Sequence, residues 1–232
     1  AKELDDMYGV QWSFGNIGAI FYEQGNFDKA IKWYNYAFDA SKNLETRLDD
    51  YYHYWDMGLV YRDTGEYKKA LEYFNKSLDI NKKYNNDRGI AGSLLQIGIV
   101  FHIKRNFEKS SEYLHRSLQI AQKLNYKDQM GAVYNCLGGM HKQKGEDEKT
   151  LEYYNLSLNI YEDLNMKKSI AGMLHNISRI YFQKGNYERA LRLCNRSLKI
   201  REALDDYYGK GLAFHLLGGL HMHIGKYDLA LE

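Results

Sequence analysis

Apolar and aromatic side chains recur along this chain at offsets of three, four and seven, in a frame that repeats every forty residues. The frame is marked by Gly18, Gly58, Gly98, Gly138 and Gly218, with Ser178 in the remaining place. Four residues earlier stand Phe14, Tyr54, Leu94, Tyr134, Leu174 and Phe214, and directly before it Ile17, Met57, Ile97, Leu137, Ile177 and Leu217. Three residues later come Phe21, Tyr61, Phe101, His141, Tyr181 and His221. Such spacings put all of these side chains on one face of a helix. A helical glycine costs about 1 kcal/mol relative to alanine. Its recurrence therefore predicts a close approach by a neighbouring helix.

Each of these helices is expected to stop at a second glycine, Gly25, Gly65, Gly145, Gly185 or Gly225, where the chain turns. A second helix follows, with small residues at Ala30, Ala70, Ser110, Thr150, Ala190 and Ala230 and bulkier ones four further on at Tyr34, Phe74, Leu114, Tyr154 and Cys194. Ala37, Ser77, Ser117, Ser157 and Ser197 come next, and the helices extend toward Leu44, Tyr84, Leu124, Leu164 and Leu204 before a polar junction. The pattern divides the chain into the end of a preceding repeat helix (1–7), five repeats (8–47, 48–87, 88–127, 128–167, 168–207) and a truncated sixth (208–232).

Bulky-x-x-Leu-Gly-x-x-Tyr followed by small-x-x-x-aromatic-x-x-small resembles the tetratricopeptide repeat. The forty-residue spacing is similar to a longer-repeat branch found in spindle-orientation adaptors and kinesin light chains. The resemblance covers the whole chain and implies an all-α fold, a right-handed superhelical solenoid of antiparallel helix pairs. It departs from the family in one respect: the proline that usually follows the second helix is missing, since the chain has none.

A net charge of +2 on 32 basic and 30 acidic residues supplies no phosphate-tracking stripe, so nucleic acid is not an expected partner. Acid and base interleave along the second helices, as in Asp28-Lys29 and Glu188-Arg189, which reads as a solvated face. No apolar run is long enough to span a membrane, and no signal peptide is visible. The 2 cysteines, Cys136 and Cys194, fall on predicted helices and fit reduced thiols in a cytoplasmic protein. Lys2 to Gly9 reads like the stretch from Arg201 to Gly209, and the sixth repeat stops at Glu232. Both observations lead us to expect a fragment of a longer array, open to self-association through uncapped ends.

The resemblance also implies a concave face lined by the first helices. Two residues before the frame glycine stand Asn16, Asp56, Gln96, Cys136, Asn176 and Leu216. In the adaptors that the chain resembles, an asparagine here bonds the backbone of an extended peptide. A carboxamide suits that role because it donates and accepts at once. Cys136 and Leu216 interrupt the ladder. The same register adds Tyr22, Arg62, His102, Lys142 and Phe182 four residues after the glycine, Arg179 one after it, and Trp55 and His175 three before it. These residues suit a ligand of mixed acidic and apolar character. A clamp for chaperone C-termini is not expected, because Gly15, Ala19, Trp55, Leu59, Leu95 and Ile99 occupy its positions.

No catalytic, metal or cofactor constellation emerges. His221 and His223 are two apart and diverge around a helix, whereas zinc ligation there needs three or four. Gly225-Lys226 lacks the preceding glycine and following hydroxyl of a phosphate loop, with Leu220 and Tyr227 in those places. The sequence thus points to a non-enzymatic scaffold that takes a protein or peptide partner in its groove. The alternative is a regulatory or sensor region gating an attached effector, such as a caspase-like protease or a transcription factor. Arg105, Ser110 and Leu114 of repeat three and His141, Asp147 and Thr150 of repeat four replace the usual residues, so looser packing is expected over residues 100–155.

Overall fold

The computed structural model describes residues 2–41 and 50–225, with side chains from 7 to 40 and from 50 to 225. Leu44, Lys226, Tyr227, Ala230 and the side chain of Leu4 lie outside the described residues. The described chain is entirely helical: α1 (Lys2–Glu23), α2 (Phe27–Ser41), α3 (Asp50–Asp63), α4 (Tyr67–Lys83), α5 (Asp87–Ile103), α6 (Phe107–Lys123), α7 (Lys127–Gln143), α8 (Asp147–Asp163), α9 (Lys167–Gln183), α10 (Tyr187–Glu202) and α11 (Tyr207–His223). Odd-numbered helices are the first of each pair and even-numbered ones the second. Among these residues no helix is long and apolar enough to cross a membrane.

Both kinds of turn follow one physical recipe. Gly25, Gly65, Gly145, Gly185 and Gly225 adopt φ of 72, 83, 74, 74 and 75°, in the left-handed region that glycine enters without steric cost. The next amide then reaches back five residues, as in Asn26 N–H to the Phe21 carbonyl at 2.9 Å and Asn186 N–H to the Tyr181 carbonyl at 2.9 Å. This double closure satisfies carbonyls that the helix end would otherwise orphan. Arg105 makes the same turn at φ 58° without glycine. Asn85, Asn125, Asn165 and Asp205 perform it between repeats at φ 52, 56, 50 and 51°. Carboxamide and carboxylate side chains tolerate this conformation better than other non-glycine residues do. Asn26, Asn106 and Asn186 also cap the following helix, accepting from the amides of Lys29, Lys109 and Arg189 at 3.3, 3.1 and 3.2 Å.

The frame glycines are where the two helices of a pair meet. A Cβ on Gly18 would stand 2.9 Å from Tyr34, on Gly58 2.5 Å from Phe74, on Gly98 2.9 Å from Leu114 and on Gly138 2.5 Å from Tyr154. In the fifth pair both partners change. Ser178 replaces glycine, Cys194 replaces the bulky residue, and the Ser178 hydroxyl donates to the Ala190 carbonyl at 2.7 Å. A second tie is made by the conserved-register serines: Ser117 donates to Ala91 O, Ser157 to Gly131 O and Ser197 to Ala171 O, at 2.7, 2.8 and 2.8 Å. The sequence marked these serines only as small.

Two compact units, Ala1–Ile120 and Ala121–Glu232, make up the chain. In the first, a core of Tyr34, Met57, Val60, Phe74, Leu94, Ile97 and Val100 joins successive pairs. In the second, Tyr154, Leu158, Met173, Leu174, Ile177 and Ile180 form one cluster and Cys194, Ala213, Leu217 and Leu220 another.

Two details depart from expectation and one agrees with it. Residues 2–7 continue into α1 without a turn, whereas the similar stretch at Asp205 breaks the helix. Thr150 and His141 of repeat four are satisfied: the Thr150 hydroxyl donates to Glu146 O at 3.0 Å, and His141 pairs with Glu146 at 2.6 Å while stacking on Tyr153. Ser110 of repeat three is fully buried with its hydroxyl unpaired. The burden expected across residues 100–155 therefore falls on Ser110 and on the strained turn at Arg105.

Candidate functional site

The register set out from sequence gathers its candidate residues into two groups, one in each unit. In the first unit Tyr22 donates to Asp63 Oδ2 at 2.7 Å, and the Arg62 Nε–H donates to Asp63 Oδ1 at 2.7 Å. A second guanidinium nitrogen of Arg62 donates to Gln96 Oε1 at 2.7 Å. One network thus crosses α1, α3 and α5, and Arg62 and Gln96 bond neighbouring helices. Burial, reinforced by the bond to Asp63, pushes the Tyr22 hydroxyl up to about 12. Asp56 has no such cation. Burial raises its carboxyl to about 6, against a smaller opposing effect of Tyr34. The Tyr34 hydroxyl is directed at Asp56 but forms no hydrogen bond of normal geometry.

Other candidates in this unit are used more locally. Trp55 lies edge-on to Phe74 with centroids 6.0 Å apart, and His102 packs near Phe107 at 6.2 Å. Asn16 is exposed and, among the described residues, has no side-chain hydrogen bond.

The second unit gathers basic side chains. Lys142 of α7, His175 and Arg179 of α9, Arg201 of α10 and His215 of α11 act on one another electrostatically. His175 is 8% exposed, with its Nδ1 unpaired. Burial, then the charges of Arg201, Arg179, Lys142 and His215, hold its imidazole down at about 4. The Lys142 ammonium is depressed by burial and then by Arg179. Phe182 packs against Tyr187 and His223, and Asn176 beside His175 is partly exposed.

Arg201 is 5% exposed and donates to the Gly209 carbonyl, leaving its Nε unpaired. Its side chain occupies space that a Cβ on Gly209 would enter. Sequence reasoning passed over Arg201, His215 and Asp63. The register did hold a signal for the first of them, because Asn81, Ala121, Tyr161 and Arg201 share one position and all are buried.

Antiparallel helix pairs stacked in a forty-residue register, with turns and pair contacts that recur in each copy, define a helical repeat protein. Within that class, a tetratricopeptide repeat model matches residues 10–83 and 169–232, more than half of the chain. The chain belongs to the tetratricopeptide repeat family. No curated protein matches it significantly in sequence. Among solved structures, it is similar to a Rap protein complexed with competence and sporulation factor (TM-score 0.78, 18% identity, 96% of this chain and 72% of that one). It is also similar to the Rap conjugation gene regulator of plasmid pLS20 in complex with the Phr* peptide (TM-score 0.81, 19% identity, 95% and 61%). A third is aspartyl phosphate phosphatase F from Bacillus subtilis (TM-score 0.77, 12% identity, 96% and 67%). At these identities the likeness is one of fold.

Among the described residues there is no group of three His, Cys, Asp or Glu placed to hold a metal. Cys136 and Cys194 form no disulfide, and burial pushes Cys194 up to about 11, away from the reactive thiolate.

Proposed function

We propose that this chain is a non-enzymatic protein-interaction scaffold that takes an extended peptide segment along its first-helix face. The observation that carries this reading is the state of the carboxamide register. Asn16 and Asn176 present polar side chains with no hydrogen bond of their own, while their helices are fixed by glycine contacts and serine ties. A carboxamide left free on a rigid helix can bond a peptide backbone without regard to its sequence. Two structures of similar fold, each with a bound factor or peptide, lend weight to it. The histidines support binding over catalysis. His141 stacks on Tyr153 and His223 on Tyr187, so both rings are engaged in packing. Turns of both kinds recurring at forty residues support placement in the longer-repeat branch.

A regulatory role inside a larger protein is the second reading. It is favoured by the peptide-bound conjugation regulator, of which the chain spans less than two thirds. Selection of displayed peptides against the chain tests the groove, repeated with Asn16→Ala and Asn176→Ala together. We expect recovery to fall sharply in the variant. Equal recovery of the same peptides would remove the carboxamide register as the binding surface.

A further inference from the structure

Cations that collect without acids are unusual in a chain whose charges otherwise nearly cancel. Elsewhere basic groups find partners: Arg196 bonds Glu162 at 2.5 Å, Lys76 bonds Glu72 at 2.9 Å and Lys69 bonds Glu66 at 2.6 Å. Among the described residues neither Lys142, Arg179 nor His215 has a carboxylate within ion-pair distance. Asp147 acts on Lys142 from α8 without forming an ion pair.

Arg179 and His215 border a cavity of about 360 Å³ between α9 and α11. His175, Arg179, Gln183 and His215 supply its polar wall, and Phe182, Leu212 and Leu216 its apolar one. His175 lines the cavity while nearly buried, and its Nδ1 is unpaired. A buried polar atom without a partner is costly, and so are like charges brought together. An anion beside Arg179 would relieve the second, and a carboxylate that reached the imidazole would relieve the first. The apolar wall asks in addition for a hydrocarbon group beside that anion.

We infer that the cavity between α9 and α11 is a side-chain carboxylate subsite, in which Arg179, His175 and His215 receive an Asp or Glu of the bound peptide while Phe182, Leu212 and Leu216 receive an adjacent apolar residue. This assignment rests on the groove reading and adds the chemical class of the peptide. Arg179 is exposed at the rim and makes the first contact, and its guanidinium can grip both carboxylate oxygens. His175 lies deeper. Burial, then the charges of Arg201 from α10, Arg179 on its own helix, Lys142 from α7 and His215 from α11, oppose its protonation. A bound carboxylate reverses that balance, so occupancy draws a proton onto the imidazole.

The test uses short random peptides displayed with their C-termini fused, so that no free α-carboxylate is present. Peptides selected by the unaltered chain should be enriched in Asp or Glu next to Leu, Ile or Phe. Their affinity should fall about tenfold when the acid is changed to its amide. Arg179→Gln should abolish the acidic preference while peptides still bind, and Arg179→Glu should replace it with a preference for Lys or Arg. Adding a selected peptide should raise the His175 imidazole pKa by about one unit or more, followed by NMR.

Peptides recovered without acidic enrichment would overturn the subsite and leave the groove standing. Recovery of none would overturn both. Acidic enrichment that survives Arg179→Gln, or a His175 pKa unmoved by peptide, would also overturn the assignment. So would a preference seen only when the library has free C-termini.

Discussion

In residues 1–120 the polar side chains of the first-helix face bond one another, Tyr22 and Arg62 to Asp63 and Arg62 to Gln96, and an uncompensated acid, Asp56, sits beside them. In residues 121–232 the first helices carry the cations Lys142 and Arg179 beside a His175 that burial keeps neutral at pH 7, with buried nitrogens unpaired on His175 and Arg201. The same backbone register therefore supports opposite electrostatic designs. A paired network rigidifies a face and leaves little for a ligand to gain. A set of unpaired cations holds interaction energy that only an added group can release.

The pair contacts differ in parallel. Gly58 sits under Phe74, whereas Ser178 faces Cys194. Replacing Gly58→Ser forces the ring away and should cost about 3 kcal/mol in urea denaturation, while Ser178→Gly should cost about half of that. Combining Gly58→Ser with Phe74→Cys should recover at least about 1 kcal/mol relative to the sum of the single changes. Strict additivity would show that the two positions are not coupled.

Asp56 offers the next contrast. Its folded pKa of about 6 exceeds the ordinary 3.8, so the folded chain binds a proton that the unfolded chain does not between those values. Burial of the ionised group therefore lowers stability at pH 7, and that loss is recovered as pH falls through 6 toward 4. Asp56→Asn should stabilise the chain at pH 7 by about 2 kcal/mol and have little effect at pH 4. Equal effects at both pH values would remove the charge from the explanation.

His175 has the reverse sign. Its folded value of about 4 lies below the ordinary 6.5, so its contribution is complete above 6.5 and is lost as pH falls toward 4. Between those limits His175→Asn should flatten the acid limb of the stability curve, in a direction opposite to Asp56→Asn. The smallest expected effect is that of Lys142→Gln, which removes one of several cations and should raise the His175 pKa by about half a unit. NMR titration of the imidazole would detect it, and an unchanged value would place Lys142 too far away to matter.

Much of this architecture was legible in the sequence because repetition assigns each residue a face. Gly58 predicted a neighbour at contact distance, and Phe74 is that neighbour. Arg62 and Gln96 fall on first helices as the register has them, yet their bond to each other could not be read, since periodicity gives a direction and no partner. Asp63 was missed for the same reason: it matters only where α1 and α3 come together. Arg201 was hidden by chemistry, because a guanidinium at a core position becomes intelligible only with the Gly209 carbonyl in view. The hydroxyls of Ser117, Ser157 and Ser197 were invisible as donors because small size alone explained their place.

The exchange of Gly and Tyr for Ser178 and Cys194 reaches beyond packing. The tight fit and the serine tie both close within a helix pair, so the pair is the smallest piece that carries its own instructions. Recombination that moved whole pairs along the gene would keep every such fit, while a crossover at a turn such as Gly185 would unite a serine with a tyrosine. Arrays of this kind can lengthen or shuffle by repeats and not by helices, which leaves evolution free to rewrite one groove position at a time.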